Sequence, residues 1–460
     1  MTVMMDLLAV ARATDGQLLG ENVQFCGLST DSRSSAAGEL FLALRGDNFD
    51  GHHYLAAAKA RGAVAAVVAA DAVDGLQELS LPLVQVAETR LSLGALAADW
   101  RGRFTLPLIA VTGSNGKTTT KEMIASILKV VYGDALLVTR GNYNNDIGLP
   151  LTLLRLQASD RAAIIEMGMN HPGEIAYLAG IARPSVALVT NAQRAHIEGM
   201  GSLEAIAAEK GSIYSGLDES GIAVFCADDQ WAELWRSQSR ALRMMTFGFE
   251  KAADVRGRFY LHGLESRLSV AAAGDEVEIV LALPGQHNAR NALAAATACL
   301  AAGVSLAAVQ AGLSAFQGLK GRLQRRAALH GALLLDDTYN ANPDSVRAGI
   351  DVLAATIGHS VLVLGDMGEI GAMSGQFHDE IGGYAKSQGI DRLFTLGEAS
   401  ALAAHNFGSG GEHFQNLDKL IAALIAELNP ETTVLVKGSR FMRMERVADA
   451  IVLPAIDGGD

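Results

Sequence analysis

A five-residue apolar run that stops at a glycine leaves few folds open to this chain. Leu108-Ile109-Ala110-Val111-Thr112 leads into Gly113-Ser114-Asn115-Gly116-Lys117-Thr118-Thr119-Thr120, and a helical pattern opens at Lys121-Glu122-Met123-Ile124. A buried strand, a glycine turn and a helix in that order predict a phosphate loop on a parallel sheet. Glycines let backbone N–H groups wrap a polyphosphate, and the helix N-terminus adds positive partial charge. Lys117 would reach the terminal phosphates and Thr118 would offer its hydroxyl to Mg²⁺. The expected cradle is Gly113, Ser114, Asn115, Gly116, Lys117, Thr118 and Thr119. Its spacing, G-x-x-G-K-T-T, is shorter than the usual G-x-x-x-x-G-K-[ST], and Val111 stands where the first glycine of that pattern belongs.

The rest of the chain repeats the same rhythm of apolar run, turn and amphipathic helix, which implies parallel sheets with crossover helices. Strands are expected at 39–44 and 63–70 with a helix over 52–61 between them. After a reset near Phe104-Thr105-Leu106-Pro107, strands follow at 108–112, 136–139, 163–167, 186–190 and 222–226. Short β-rich pieces, such as 277–283, occupy 254–283. A third set is expected at 332–335, 361–364, 393–396 and 434–436. Three α/β blocks result, 1–105, 106–315 and 316–460, in keeping with 460 residues at about 150 per domain.

Residues 291–319 carry no charge, which raises a membrane span. Gly303-Val304-Ser305 interrupts them, and two short helices with a Ser N-cap fit better. The N-terminus lacks a basic leader. A net charge of −13 argues against nucleic-acid partners and anionic membranes. Three widely spaced cysteines, Cys26, Cys226 and Cys299, build neither a disulfide framework nor a metal site. A cytoplasmic enzyme is expected, and nothing demands a partner chain, so a monomer is expected too.

Several side chains invite chemistry by position. Glu166 ends a strand, where a carboxylate points into the ligand crevice and, with Thr118, would hold Mg²⁺ between phosphates. Asn288 and Asn291, three apart at a helix start, face one ligand or simply cap the helix. Arg322 in Gly321-Arg322-Leu323 lies at a block boundary, from which a guanidinium can swing onto a γ-phosphate. Gly318 and Gly321 there supply a hinge. By spacing alone Lys210 is a helix-surface charge, and His196 is a lone histidine, a type more often packed than ligating.

The shortened phosphate loop, together with Ser29-Thr30-Asp31-Ser32-Arg33, Gly38-Glu39-Leu40-Phe41, Asp50-Gly51-His52 and Asp336-Asp337-Thr338-Tyr339-Asn340-Ala341-Asn342-Pro343, resembles the Mur ligase family over essentially the whole chain. The resemblance implies a nucleotide-sugar-binding first domain, a central P-loop ATPase-like domain and a C-terminal Rossmann-like domain. It implies an ATP-dependent amide ligase working through an acyl phosphate, with two Mg²⁺ ions. The Asp336–Pro343 segment is similar to that of the member adding D-alanyl-D-alanine to UDP-N-acetylmuramoyl-tripeptide. Neither the Tyr-Ala-His-Thr-Pro run nor the Asp-Asn-Pro-Arg motif of the tripeptide-forming relative is present, and a folylpolyglutamate-type ligase lacks such a first domain.

By the same resemblance His196 matches a metal-binding histidine, and Lys210 a carbamylated (N-carboxylated) lysine. Asn288 and Asn291 border the adenine, and Asp337 accepts ribose hydroxyls. Thr30 and Ser32 match uridine contacts, and Arg33, Asp47, Asn48 and Phe49 are candidates to complete that pocket. Asn144 and Asn145 are candidates for the muramoyl-peptide arm. Asn340 and Asn342 are candidates for the incoming dipeptide, with Gly438 and Ser439 near it.

Overall fold

The computed structural model describes residues 3–46, 48–73, 79–195, 197–239 and 242–453. Each expected strand is present within two residues of its expected ends, and the strands form three sheets. The first sheet has five strands, ordered Gln17–Leu19, Leu83–Val86, Ala65–Ala69, Leu40–Leu42 and Leu28–Ser29, parallel except for its first edge. The expected helix over 52–61 begins as a 3₁₀ turn, Gly51–Tyr54, before Leu55–Ala60.

The central sheet has nine strands. Leu136–Val138, Ala162–Glu166, Leu108–Thr112, Val186–Val189, Ile222–Cys226 and Arg243–Gly248 run parallel. The β-rich stretch is not a set of short pieces: Val255–His262, Glu265–Ala272 and Asp275–Leu281 form an antiparallel meander that extends the same sheet. Every residue of Leu108–Thr112, Ala162–Glu166 and Ile222–Cys226 is buried, as for parallel strands covered on both faces. The third sheet orders Gln324–Ala327, Leu333–Asp337, Thr432–Lys437, His359–Gly365, Arg392–Leu396 and Gly411–Phe414, with only its first pair antiparallel.

The phosphate-loop helix starts four residues earlier than expected, at Lys117, and runs to Tyr132. A run of threonines reads as loop by propensity. Here Gly116, at φ +80°, makes the left-handed step that opens the helix. Thr118 and Thr119 thus lie in the first turn, whose N–H groups have no helical partner.

The uncharged stretch folds as two helices, Gln286–Ala301 and Leu306–Ala315, separated by Gly303 and capped by Ser305. No helix among the described residues is long and apolar enough to cross a membrane. The second helix presses on the phosphate-loop helix. A Cβ at Gly312 would overlap the Ile127 backbone, and Ser126 Oγ donates to the Gly312 carbonyl at 2.7 Å. Gly312→Ala is therefore expected to cost about 1–3 kcal/mol through overpacking. A denaturant midpoint equal to the parent's would overturn that packing.

One apolar cluster runs through the first and central sheets. Leu93, Leu96 and Ala97 of helix Thr89–Arg101 join Val84 and Val86 on one side and Ile175, Leu178 and Ile181 on the other. Arg101 at this seam is 7% exposed and donates to the carbonyls of Ala182, Phe104 and Arg183 at 3.0, 2.6 and 3.2 Å. The third sheet keeps two clusters of its own. The first two units are thus welded by apolar packing, and the third meets them largely through polar groups.

Candidate functional site

Parallel register places the C-terminal ends of three neighbouring strands side by side, Val111 beside Glu166 and Thr112 beside Val189. The loops that follow open onto a polar cavity of about 430 Å³, whose far wall is the third unit. This is the crevice in which parallel sheets bind ligands.

Glycine is required twice in the phosphate loop. Gly113 and Gly116 have φ of +151° and +80°, and a Cβ on either would overlap Thr190 or Asn291. The neighbouring strand end braces the loop. Thr190 Oγ1 donates to the Asn115 carbonyl at 2.8 Å, and the Ser114 and Asn115 N–H groups donate to Asn191 at 3.0 and 2.9 Å. Lys117 Nζ folds back onto the carbonyls of Gly113 and Ser114, at 2.7 and 3.2 Å. Burial lowers its pKa, with Glu166 opposing and Arg322 adding to the fall.

Glu166 is 2% exposed. Its Oε1 accepts from Asn144 Nδ2 at 2.8 Å, while Oε2 is buried without a hydrogen-bond partner among the described residues. An orphaned carboxylate oxygen facing the same cavity as the Thr118 hydroxyl is a donor set that suits Mg²⁺. His196, assigned to the second metal, lies outside the described residues, as does Asp47.

Lys210 is not the surface charge that its spacing suggests. It sits on helix Leu203–Gly211 at 1% exposure, because the helix packs that face inward. Burial, then repulsion from Lys117, pushes its pKa well below the usual lysine value, against the pull of Glu209. Lys210 does not line the cavity.

From the third unit, Arg322 stacks on Tyr339 with 3.9 Å to the ring centroid, and its Nη2 lies 3.5 Å from Thr118 Oγ1. Asp337 accepts from the Leu323 N–H at 3.2 Å and from Lys437 Nζ at 2.5 Å. Lys437 also donates to the Asn340 carbonyl, at 3.0 Å. Asn342 caps helix Pro343–Ala354 in a reciprocal box with Ser345, and its Nδ2 donates to Asn115 Oδ1 at 2.7 Å. Asn340 lines the cavity, its Oδ1 accepting from the Ala341 N–H at 2.9 Å. Ser439 Oγ accepts from the Gly368 N–H at 2.7 Å and donates to the Ala341 carbonyl at 3.1 Å, tying these loops together.

Asn288 and Asn291 both line the cavity and are buried. Asn288 Nδ2 donates to the Pro284 carbonyl at 2.9 Å, and Asn291 packs against Gly116. Thr30, Ser32, Arg33, Asn48 and Phe49 stay on the first unit, away from this cavity. Arg33 is turned onto Asp31 at 2.8 Å, and Phe49 is 53% exposed. Asn145 is turned into its own loop, its Oδ1 accepting from the N–H of Gly148, the first residue of the next helix, at 2.8 Å.

The sequence reading missed Lys437, Tyr339 and His287. Lys437 carries the signal used for Glu166, a charge at the end of a buried strand. Burial lowers the His287 pKa to about 4, with Asp337 opposing. Unfolded chains take up that proton below the ordinary value near 6.5. The contribution of His287 is therefore intact above pH 6.5 and is lost as pH falls toward 4. His287→Gln should flatten the decline of Tm across that window, and parallel curves for the two proteins would refute the assignment.

Fold and site together define an ATP-dependent ligase. The chain belongs to the Mur ligase family: residues 24–101 match the model described as "Mur ligase family, catalytic domain", 111–299 "Mur ligase middle domain", and 321–440 "Mur ligase, glutamate ligase domain". It is 42% identical over 444 residues to the UDP-N-acetylmuramoyl-tripeptide--D-alanyl-D-alanine ligase of Escherichia coli (strain K12), covering 95% of this chain and 96% of that one. The structure superposes on the crystal structure of MurF from Acinetobacter baumannii with TM-score 0.90 at 34% identity, covering 97% of this chain and 99% of the other. MurF ligase from Thermotoga maritima, solved in complex with ADP, gives TM-score 0.79 at 27% identity, covering 92% and 96%.

Proposed function

We propose that this chain joins D-alanyl-D-alanine to UDP-N-acetylmuramoyl-tripeptide with consumption of ATP, in the cytoplasm and as a monomer. The observation that carries the reading is one cavity walled by the phosphate loop on one side and the 337–345 segment on the other. The corresponding units are 1–105 for the nucleotide-sugar substrate, 106–315 for ATP and 316–460 for the dipeptide. A carboxylate oxygen of the tripeptide takes the γ-phosphoryl group as the bond to ADP breaks. The dipeptide amine then attacks the acyl carbon, phosphate leaves and the amine gives up a proton.

Lys117 and Arg322 are the fixed cations for the transferred phosphoryl group, which needs charge stabilisation rather than a protein nucleophile. Thr118 and Glu166, joined by His196 and an N-carboxylated Lys210, would hold the Mg²⁺ that neutralises phosphate charge. Asn288, Asn291 and Asp337 face the nucleoside. Asn144 orients Glu166, and Asn340 stands at the dipeptide side. Thr30, Ser32 and the neighbouring Arg33, Asp47, Asn48 and Phe49 serve the uridine end.

The test is phosphate release and amide formation across a panel of UDP-muramoyl peptides, ending in diaminopimelate or lysine, against D-amino-acid dipeptides and single amino acids. Release that requires ATP, tripeptide and dipeptide together supports the reading. ATP hydrolysis without the peptide, or a preference for a single amino acid, overturns it.

A further inference from the structure

We propose that Arg194 is a positioning residue, the latch that seats the third unit over the phosphate loop during ligation. The inference rests on the ligase reading above. Apolar packing across this seam is thin, with Ile197 and Leu264 of the central unit resting on the third unit's core. Much of the seam is polar, and among the described residues it is crossed by Asn115 with Asn342, Arg322 with Thr118, and Arg194 with Asp344 and Glu380. The first two stand inside the cavity, where a bound nucleotide must rearrange them. Of the Arg194 link only Asp344 lines the cavity; Arg194 and Glu380 lie outside it, so the Arg194–Glu380 pair stays clear of the space that a bound nucleotide fills.

The Arg194 contact is dense. Its backbone N–H, Nε and Nη2 donate to Asp344 at 2.8, 3.0 and 2.7 Å, and Nη1 donates to both oxygens of Glu380 at 3.2 and 2.9 Å. The guanidinium also lies 5.2 Å from the Phe377 ring centroid. Asp344 is in the first turn of the helix capped by Asn342, and Glu380 on helix Ser374–Ser387 is held from below by Arg347 at 2.8 Å. One planar fork thus grips two helices of the third unit, a geometry that an ammonium cannot copy. On the other side Gln193, the preceding residue, accepts from Asn115 Nδ2 of the phosphate loop at 2.7 Å and exchanges hydrogen bonds with Ser114. The latch is therefore rigidly registered to the nucleotide loop.

Losing the latch should leave nucleotide binding intact and weaken closure. Arg194→Ala is expected to keep the parent's Tm and its affinity for ADP. Its kcat/KM for the dipeptide should fall about tenfold. It should also consume more ATP per amide formed, because water reaches the acyl carbon, expels phosphate and regenerates the carboxylate. Arg194→Lys should fall between the two. Small-angle scattering with ADP and UDP-muramoyl tripeptide should give a smaller radius of gyration for the parent than for Arg194→Ala. Equal radii with an unchanged ATP-to-amide ratio would overturn the latch, as would a loss of rate matched by a loss of Tm with no uncoupling. If the parent itself fails to use the dipeptide, the ligase reading falls, and the scattering comparison alone decides on the latch.

Discussion

Lys117→Ala is expected to fold normally and to lose about 10²–10³ of the ligation rate, roughly 2.7–4 kcal/mol of transition-state stabilisation. The fold should hold because the two hydrogen bonds from the ammonium group to Gly113 and Ser114 are not the loop's main brace. Thr190, Asn191 and Gln193 brace it from the adjacent strand end, and Gly113 and Gly116 set its path. The rate should collapse because Lys117 is the cation of the loop itself, and Arg322 and Lys437 reach the cavity from the third unit and cannot take its place. Arg322 is stacked on Tyr339, and Lys437 is bound to Asp337. Steady-state kinetics beside circular dichroism and a thermal melt make the measurement. Near-parental turnover in a folded variant would overturn the role of the loop.

Lys210→Ala should lose at least about 10- to 100-fold, since even groups behind a metal's ligands cost that much when removed. Its burial and the charge of Lys117 favour the neutral amine. That is the form whose lone pair attacks CO₂, releasing a proton and leaving a carbamate anion. Bicarbonate should not rescue the alanine variant, whereas a short carboxylic acid should restore part of the rate by standing in for the carbamate. Lys210→Arg should stay impaired, since a guanidinium does not deprotonate. Protein equilibrated with ¹³C-bicarbonate should show a carbamate resonance that the alanine variant lacks. Parental behaviour of Lys210→Ala at low Mg²⁺, with no such resonance in the parent, would refute the assignment.

Much of the architecture was legible because buried parallel strands announce themselves. A run such as Leu108–Thr112, buried on both faces, has no polar alternation to confuse it with anything but a core element. Arg243–Gly248, Gln324–Ala327 and Gly411–Phe414 were not legible. The last two are edge strands with exposed positions, and the first is buried only in its second half. The start of the phosphate-loop helix was misread because one left-handed glycine overrode the propensity of three threonines.

Sequence alone determined the alternating α/β plan, the phosphate loop, the strand-end position of Glu166, and the resemblance that places the chain in its family. These are local or periodic properties, written in consecutive residues. Tertiary structure alone decided that Lys210 is buried within electrostatic reach of Lys117, that Glu166 keeps one oxygen unpartnered among the described residues, and that Lys437 engages Asp337 across 100 residues of chain. It also decided that Arg194 reaches two helices about 150 and 186 residues away. Burial and ion pairing depend on which elements pack together, and no spacing within a single segment encodes a partner contributed by another sheet.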